Sequence, residues 1–213
     1  VDQLYCAPAC ACSEELTVMS STLLGLEVLA QKQMGDTVIT AARGSVLQFT
    51  GSAIVNAANE RCLGGGGVDG AITDAGGDSL ADAREALPIL DNRRTRCRSG
   101  DAVLTIGGEL NNEWCIHAVG PNYRMRDSIE EADEELASAY RAAMREAASQ
   151  QMPSVAFSLL SAGVFRGPQT VANVLSIAMR SVAESVYPGL EHVLLCAYTD
   201  NECWELVRAL EAA

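Results

Sequence analysis

The densest chemistry in this sequence is a run of four glycines, Gly64, Gly65, Gly66 and Gly67, followed by Val68 and Asp69. Without a Cβ, glycine lets backbone N–H groups approach a ligand closely, and a helix starting just after the run adds its own free N–H groups. Such a loop takes an anion such as a phosphate without any lysine. The competing reading is a flexible surface turn. Gly65, Gly67 and Gly70 satisfy G-x-G-x-x-G, and Asp91 stands at about the distance of a ribose-binding acid. A dinucleotide-binding turn, however, follows its strand directly, and here Asn-Ala-Ala-Asn-Glu-Arg-Cys-Leu intervenes. A Walker loop needs Lys-Ser/Thr where Val68-Asp69 stands.

A second loop-like segment spans residues 161–168. Ser161 offers a hydroxyl, Gly163 a free backbone and Phe165 an aromatic ring for stacking. An ordinary strand-to-helix connection, with Pro168 opening the helix, explains the segment equally well. If both segments follow strand ends in an open α/β sheet, they flank the crevice where such sheets bind ligands. Two amide-rich loops suit a diphosphate. No nucleophile constellation stands out: His117 lies mid-strand as a core or supporting residue, and His192 reads as surface. Trp114 and Trp204 read as core aromatics.

These loops need strands and helices to hold them. Residues 52–59 read as a buried strand running into the first loop, and 154–160 as the strand before the second. Residues 37–49, 101–108, 114–120 and 192–198 are strand-like as well. Helices are expected after Gly67 with Gly76 as a stop, and over 79–90, 127–149, 169–186 and 201–210. The helix at 127–149 opens with six acids in nine residues, a solvated face or else an acidic docking surface. Residues 14–34 look helical, with Leu16, Met19, Leu23, Leu26 and Leu29 on a helical period and Ser13 as a cap. Strands alternating with helices argue an α/β layered domain at 36–213, and 1–35 form a leader and a helix packed on it.

The chain has 213 residues, 15 basic and 28 acidic, with a formal net charge of −13. That balance argues against nucleic acid and anionic membrane surfaces. Apolar residues make up 48%, enough for a core. The eight cysteines need form no disulfides in a chain this long, and they fit a reducing compartment. Cys6, Cys10 and Cys12 cluster without a nearby His, so no metal is expected. The start has neither the basic nor the apolar region of a signal peptide. The cytoplasm or nucleus is expected, or a mitochondrion if an upstream targeting segment was removed.

The order AIVNAANERCLGGGGVDGAI (53–72), IHAVGP (116–121) and SAGVFRGP (161–168) closely resembles macrodomains, and the four glycines with Val-Asp-Gly resemble the MacroD-type branch. The resemblance covers roughly 36–212. It implies a three-layer α/β/α sandwich around a central mixed sheet, with ADP-ribose as the ligand and no cofactor. The implied activity is removal of mono-ADP-ribose from acidic side chains of proteins, and deacetylation of O-acetyl-ADP-ribose, by a monomer. Asn56 and Asn59 match the Asn pair of the motif, the latter contacting the distal ribose and, with Asp69, counted as catalytic. Gly65, Gly66, Gly67 and Val68 match the first phosphate and ribose loop, and Asp69 the acid that positions or activates water. Ser161, Ala162, Gly163, Val164 and Phe165 match the diphosphate loop, and Tyr198 sits where an aromatic stacks on adenine. Val46 offers backbone groups near the adenine.

Three positions depart from the pattern. Ser45 stands where the family has an Asp that bonds adenine; Gly35-Asp36 lies nine residues too early to serve. Thr73 stands where the MacroD pattern often has His. Arg166 replaces a Gly after the aromatic; it pairs with the diphosphate, closes over the site, or points to solvent. The alternatives to a hydrolase are a non-catalytic reader of ADP-ribose and a phosphatase for ADP-ribose 1″-phosphate. The presence of Asp69 favours the hydrolase.

Overall fold

The computed structural model describes residues 22–213. The expected leader, the Ser13 cap, the first part of the helix at 14–34 and the cluster of Cys6, Cys10 and Cys12 lie outside them. The described part of that helix is instead a pair of strands, β1 (Thr22–Leu23) and β2 (Leu26–Met34). Leu23, Leu26 and Leu29 keep a spacing of three that fits a helix. Burial follows the alternation Leu26, Val28, Ala30, interrupted by a register shift between Val28 and Ala30. Turns at both ends force the hairpins. Leu24 and Gly25 have φ of 49° and 91°, and Gly35 has φ of 62° ahead of Asp36. A Gly-Asp pair between two apolar runs is a hairpin signal. The sheet therefore begins well before residue 36.

The remaining strands are β3 (Thr37–Arg43), β4 (Ala53–Ala57), β5 (Ala102–Ile106), β6 (Trp114–Ala118), β7 (Ser154–Ser158) and β8 (His192–Ala197). They join β1 and β2 in one eight-stranded mixed sheet of order β1-β2-β3-β8-β7-β4-β6-β5. The strands β3, β8, β7, β4 and β6 are parallel, with antiparallel pairs at both edges. The central strands carry continuous apolar runs because both faces are covered. Ala53, Val55, Val155, Phe157, Val193 and Leu195 face one core, while Ile54, Ala156, Leu194 and Cys196 face the other.

The first core is closed by α2 (Ile129–Ser149), α3 (Val171–Ala183) and α4 (Asp200–Ala212), packed side by side. The second is closed by α1 (Val68–Glu85) through Ile72 and Leu80. The break expected at Gly76 falls one residue later, at Gly77, with φ 62° and ψ −165°. Glu109 crowds the space where a Gly77 Cβ would stand. Ser128, Thr170 and Thr199 cap α2, α3 and α4 with side-chain oxygens. Trp204 is not a core residue; it is 73% exposed on α4. Because the five central strands are parallel, their C-terminal ends all point to one edge, where four of the segments they release are 44–46, 58–67, 159–165 and the one that carries Tyr198, and the fifth brings Gly120 to the same edge.

Candidate active site

These four loops enclose two adjoining cavities of about 520 and 430 Å³. Gly67, Val68, Leu159 and Gly163 line both, so the two form one elongated cleft. Its position beyond the carboxyl ends of the strands is the usual one for open α/β sheets. The larger cavity is bounded by Ser45, Val46, Ala162 and Tyr198, whose ring is 77% exposed. The smaller is bounded by Asn59, Gly65, Gly66, Asp69, Ser161, Val164 and Phe165. A surface depression of about 620 Å³ over α2, lined by charged residues, has no such convergence of loops.

The first wall is the glycine run. Gly67 begins α1 with φ of 62° and no side-chain cap, which leaves the first helical N–H groups free at the cleft. A Cβ on Gly66 or Gly67 would meet nothing within 4 Å, so these glycines expose backbone and pack against nothing. Gly65 differs. A Cβ there would lie 3.0 Å from Asp69 Oδ2 and 3.1 Å from Asn59 Nδ2. Asn59 holds its own loop, donating from Nδ2 to Gly64 O at 2.9 Å and accepting from Arg61 N at 3.0 Å.

Asp69 is 3% exposed, one step into α1. Its Oδ1 accepts from Asn56 Nδ2 at 2.8 Å and from the Arg84 guanidinium at 2.7 Å. Its Oδ2 is buried without a protein partner. Arg84, 1% exposed, also donates to Cys62 O and, at 2.8 Å, to Thr73 Oγ1. Thr73 in turn donates to Asp69 O at 2.7 Å. A buried charge pair of this kind persists only when its remaining donors are satisfied, as they are here. Arg84 was not singled out by sequence. The signal was the stripe Ile72, Gly76, Leu80, Arg84 at intervals of four, which turns Arg84 inward.

Behind Asp69 the network continues into the sheet. Asn56 Nδ2 also lies 3.2 Å from His117 Nδ1, and His117 Nε2 lies 2.9 Å from Thr105 Oγ1. Because the amide can only donate, His117 Nδ1 accepts and Nε2–H donates to Thr105. Burial, reinforced by the Arg84 charge, pushes the His117 pKa down to about 3, so the ring is neutral. This is the supporting role expected of it. Burial pushes the Cys115 and Cys196 thiols up to about 12, which leaves them unreactive. Cys62 runs the other way: a hydrogen bond with Cys97 and the charges of Arg84 and Arg96 lower its pKa against the effect of burial.

The expected site residues therefore gather, with three exceptions in detail. Asn56 is fully buried and lines neither cavity; its amide is spent on Asp69 Oδ1. The Ser161 hydroxyl turns inward to Pro121 O at 2.8 Å. Arg166 lines neither cavity: it donates to Ala162 O at 3.1 Å and Gln169 O at 3.0 Å, bracing the second loop. Ser45 caps the turn Val46–Gln48 by accepting from Leu47 N at 3.3 Å, with Gln48 reciprocating.

The Macro domain family model matches residues 55–175. A macro domain-containing protein of Cupriavidus necator is 38% identical over 170 residues, 80% of this chain and 95% of that protein. A protein of Salmonella typhimurium named O-acetyl-ADP-ribose deacetylase is 36% identical over 161 residues, 75% of this chain and 86% of that one. A solved macrodomain of Oceanobacillus iheyensis with ADP has a TM-score of 0.77 at 26% identity, over 85% of this chain and 94% of that chain. With the cleft, the glycine loop and its buried acid in place, these similarities make the chain a member of the macrodomain family, with the motif features of its MacroD-type branch.

Proposed function

We propose that this protein hydrolyses ADP-ribosyl esters, removing mono-ADP-ribose from acidic side chains of proteins and deacetylating O-acetyl-ADP-ribose. The cleft volumes suit a nucleotide-sized ligand. In this reading the adenine lies in the larger cavity, against Tyr198 and the backbone of Val46. The diphosphate lies between the backbone amides of 65–67 and those of 163–165. The distal ribose fills the smaller cavity beside Asn59, Asp69 and Phe165. The name of the Salmonella relative supports the same ester chemistry.

The carrying observation is Asp69 Oδ2, a buried carboxylate oxygen with no protein partner on the wall of the smaller cavity. Its sister oxygen is clamped by Arg84 and Asn56, so the free oxygen is a fixed acceptor. We assign it to holding the attacking water beside the distal ribose. Water adds to the ester, whose bond breaks to leave ADP-ribose with a free hydroxyl and the carboxylic acid of the target. The backbone amides hold the diphosphate in place throughout, which is positioning and electrostatic stabilisation.

One observation favours the reader instead. Asn59 and Asp69 Oδ1 both spend their hydrogen bonds within the protein. The test is release of ADP-ribose from a protein modified on Glu, and of acetate from O-acetyl-ADP-ribose, alongside calorimetric binding of ADP-ribose. Release of both products is expected. Tight binding without release makes the protein a reader, and absence of binding removes the ligand assignment altogether.

A further inference from the structure

We propose that the arginine-rich loop at 91–98, with Arg61 beside it, is a docking surface for the acidic polypeptide that flanks the modified side chain. The inference rests on the hydrolase reading and adds a target preference to it. Residues 93–96 carry three arginines, Arg93, Arg94 and Arg96, in a chain of net charge −13 with only 15 basic residues. Such a concentration makes a local field opposite to that of the whole molecule.

The loop is built rather than loose. Asp91 Oδ1 accepts from Arg93 N at 2.9 Å and Thr95 N at 3.1 Å, and Thr95 O accepts from Leu90 N at 2.8 Å. Arg94 turns the chain with φ of 62°. Arg96 N and Cys97 N both donate to Glu60 O, at 2.8 and 3.2 Å. Glu60 follows Asn59 directly, so the loop is tied to the rim of the smaller cavity. Cys97 packs with Ala58 and Cys62 beneath that rim.

The charges are also largely unspent: the turn amide of Thr95 and, to a lesser degree, the Arg93 charge hold the Asp91 carboxyl below its ordinary pKa, but no ion pair forms there. Arg61, Arg93 and Arg94 are exposed. Among the described residues none of them pairs with a carboxylate. Arg96 is 8% exposed: its NH2 reaches Glu85 O at 3.4 Å, while Nε and NH1 have no partner. A buried guanidinium without a counter-charge raises the positive potential under the surface. Arg98 turns away and shares the depression over α2 with Glu131, Glu134 and Glu135, so it is not counted.

A target modified on Asp or Glu must leave the cleft at the smaller cavity, past Asn59. Val164, 75% exposed, lines that cavity, and the turn carrying the equally exposed Met125 packs against the turn of Val164. On the other side the arginine loop is tied through Glu60 to the residue next to Asn59, and the planar forks of arginine match carboxylates. A phosphate polymer draws its affinity from many phosphate contacts spread along a basic stripe. A patch confined to one loop and Arg61 fits a few carboxylates in a short segment.

The test uses the whole chain and the variant Arg61→Gln/Arg93→Gln/Arg94→Asn, Asn being suited to the left-handed turn. Two peptides each carry one ADP-ribosylated Glu, flanked by acidic residues in one and by Ser and Gln in the other. Wild type is expected to favour the acidic peptide in kcat/KM by at least ~10-fold at low salt. The variant and high salt should both erase that preference. Turnover of O-acetyl-ADP-ribose should stay unchanged in the variant. Equal rates on the two peptides in wild type overturn the proposal, as does a preference that survives in the variant. Competition by oligonucleotide but not by polyglutamate also overturns it. If neither the small ester nor a peptide is turned over, the hydrolase reading has failed. Anisotropy binding of the two peptides then decides the surface alone, by the same preference and the same loss.

Discussion

The two loops that close the cleft are both glycine-bearing, and both leave the ends of parallel strands, but they are held by different means. The first, 58–67, rests on buried charge: Arg84, Asp69, Asn56, His117 and Thr105 form a chain of side chains reaching the middle of the sheet. The second, 159–165, is braced by single side chains on nearby carbonyls, Ser161 on Pro121 O and Arg166 on Ala162 O and Gln169 O. One wall therefore fixes a buried carboxylate, and the other presents backbone amides. Damage to the first should reach both folding and turnover. Damage to the second should mostly weaken ligand binding.

The sharpest break of that contrast is Arg84→Met. It strands a buried carboxylate and is expected to cost about 3–5 kcal/mol of stability by denaturant titration. Adding Asp69→Asn should recover part of the stability and none of the turnover. If Arg84→Met unfolds at the wild-type midpoint, Arg84 is not what holds the first wall.

Gly65→Ala sharpens the same point without touching the charges. The new methyl would stand 3.0 Å from Asp69 Oδ2 and 3.1 Å from Asn59 Nδ2. Turnover should fall roughly 10- to 100-fold while the protein stays folded, since small displacements of reacting groups are costly. Gly66→Ala, with open space around it, should leave the melting temperature unchanged.

His117 gives the first wall a pH signature. Its pKa lies at about 3 in the fold against an ordinary 6.5, so below 6.5 the unfolded chain binds a proton that the folded chain refuses. This contribution is complete above pH 6.5 and is lost as pH falls towards 3, by up to about 1.4 kcal/mol per pH unit. Denaturation of wild type and His117→Gln across that range should differ in slope. Parallel slopes would contradict a neutral buried ring.

The smallest effect belongs to the second wall. Ser161→Ala loses one hydrogen bond to Pro121 O, about 1 kcal/mol. It should weaken ADP-ribose binding a few-fold with kcat nearly intact. A large loss of kcat would contradict a hydroxyl that only braces the loop.

Most of the cleft was legible because its wall is made of backbone. Glycines followed by a helix start, and loops after apolar strands, carry their meaning in local order. Asn59, Asp69 and Phe165 line the smaller cavity and Tyr198 the larger. Side-chain destinations were less legible, since they depend on distant partners: Pro121 for Ser161 and Gln169 for Arg166 are set by packing. Arg84 reads as one more charge on a polar helix until the inward stripe is noticed. In the segment of β1 and β2, Leu23, Leu26 and Leu29 satisfy a helical period, while the turns at Gly25 and Gly35 enforce strands.

The most direct test of the first wall is single-turnover release of ADP-ribose from a Glu-modified peptide by Asp69→Asn, with calorimetric binding of ADP-ribose in parallel. Asn keeps the shape and the acceptor for Arg84 but removes the second carboxylate oxygen. Release should slow by about 10²–10⁴-fold with affinity within a few-fold of wild type. Release at the wild-type rate, with binding intact, would contradict the role given to Asp69.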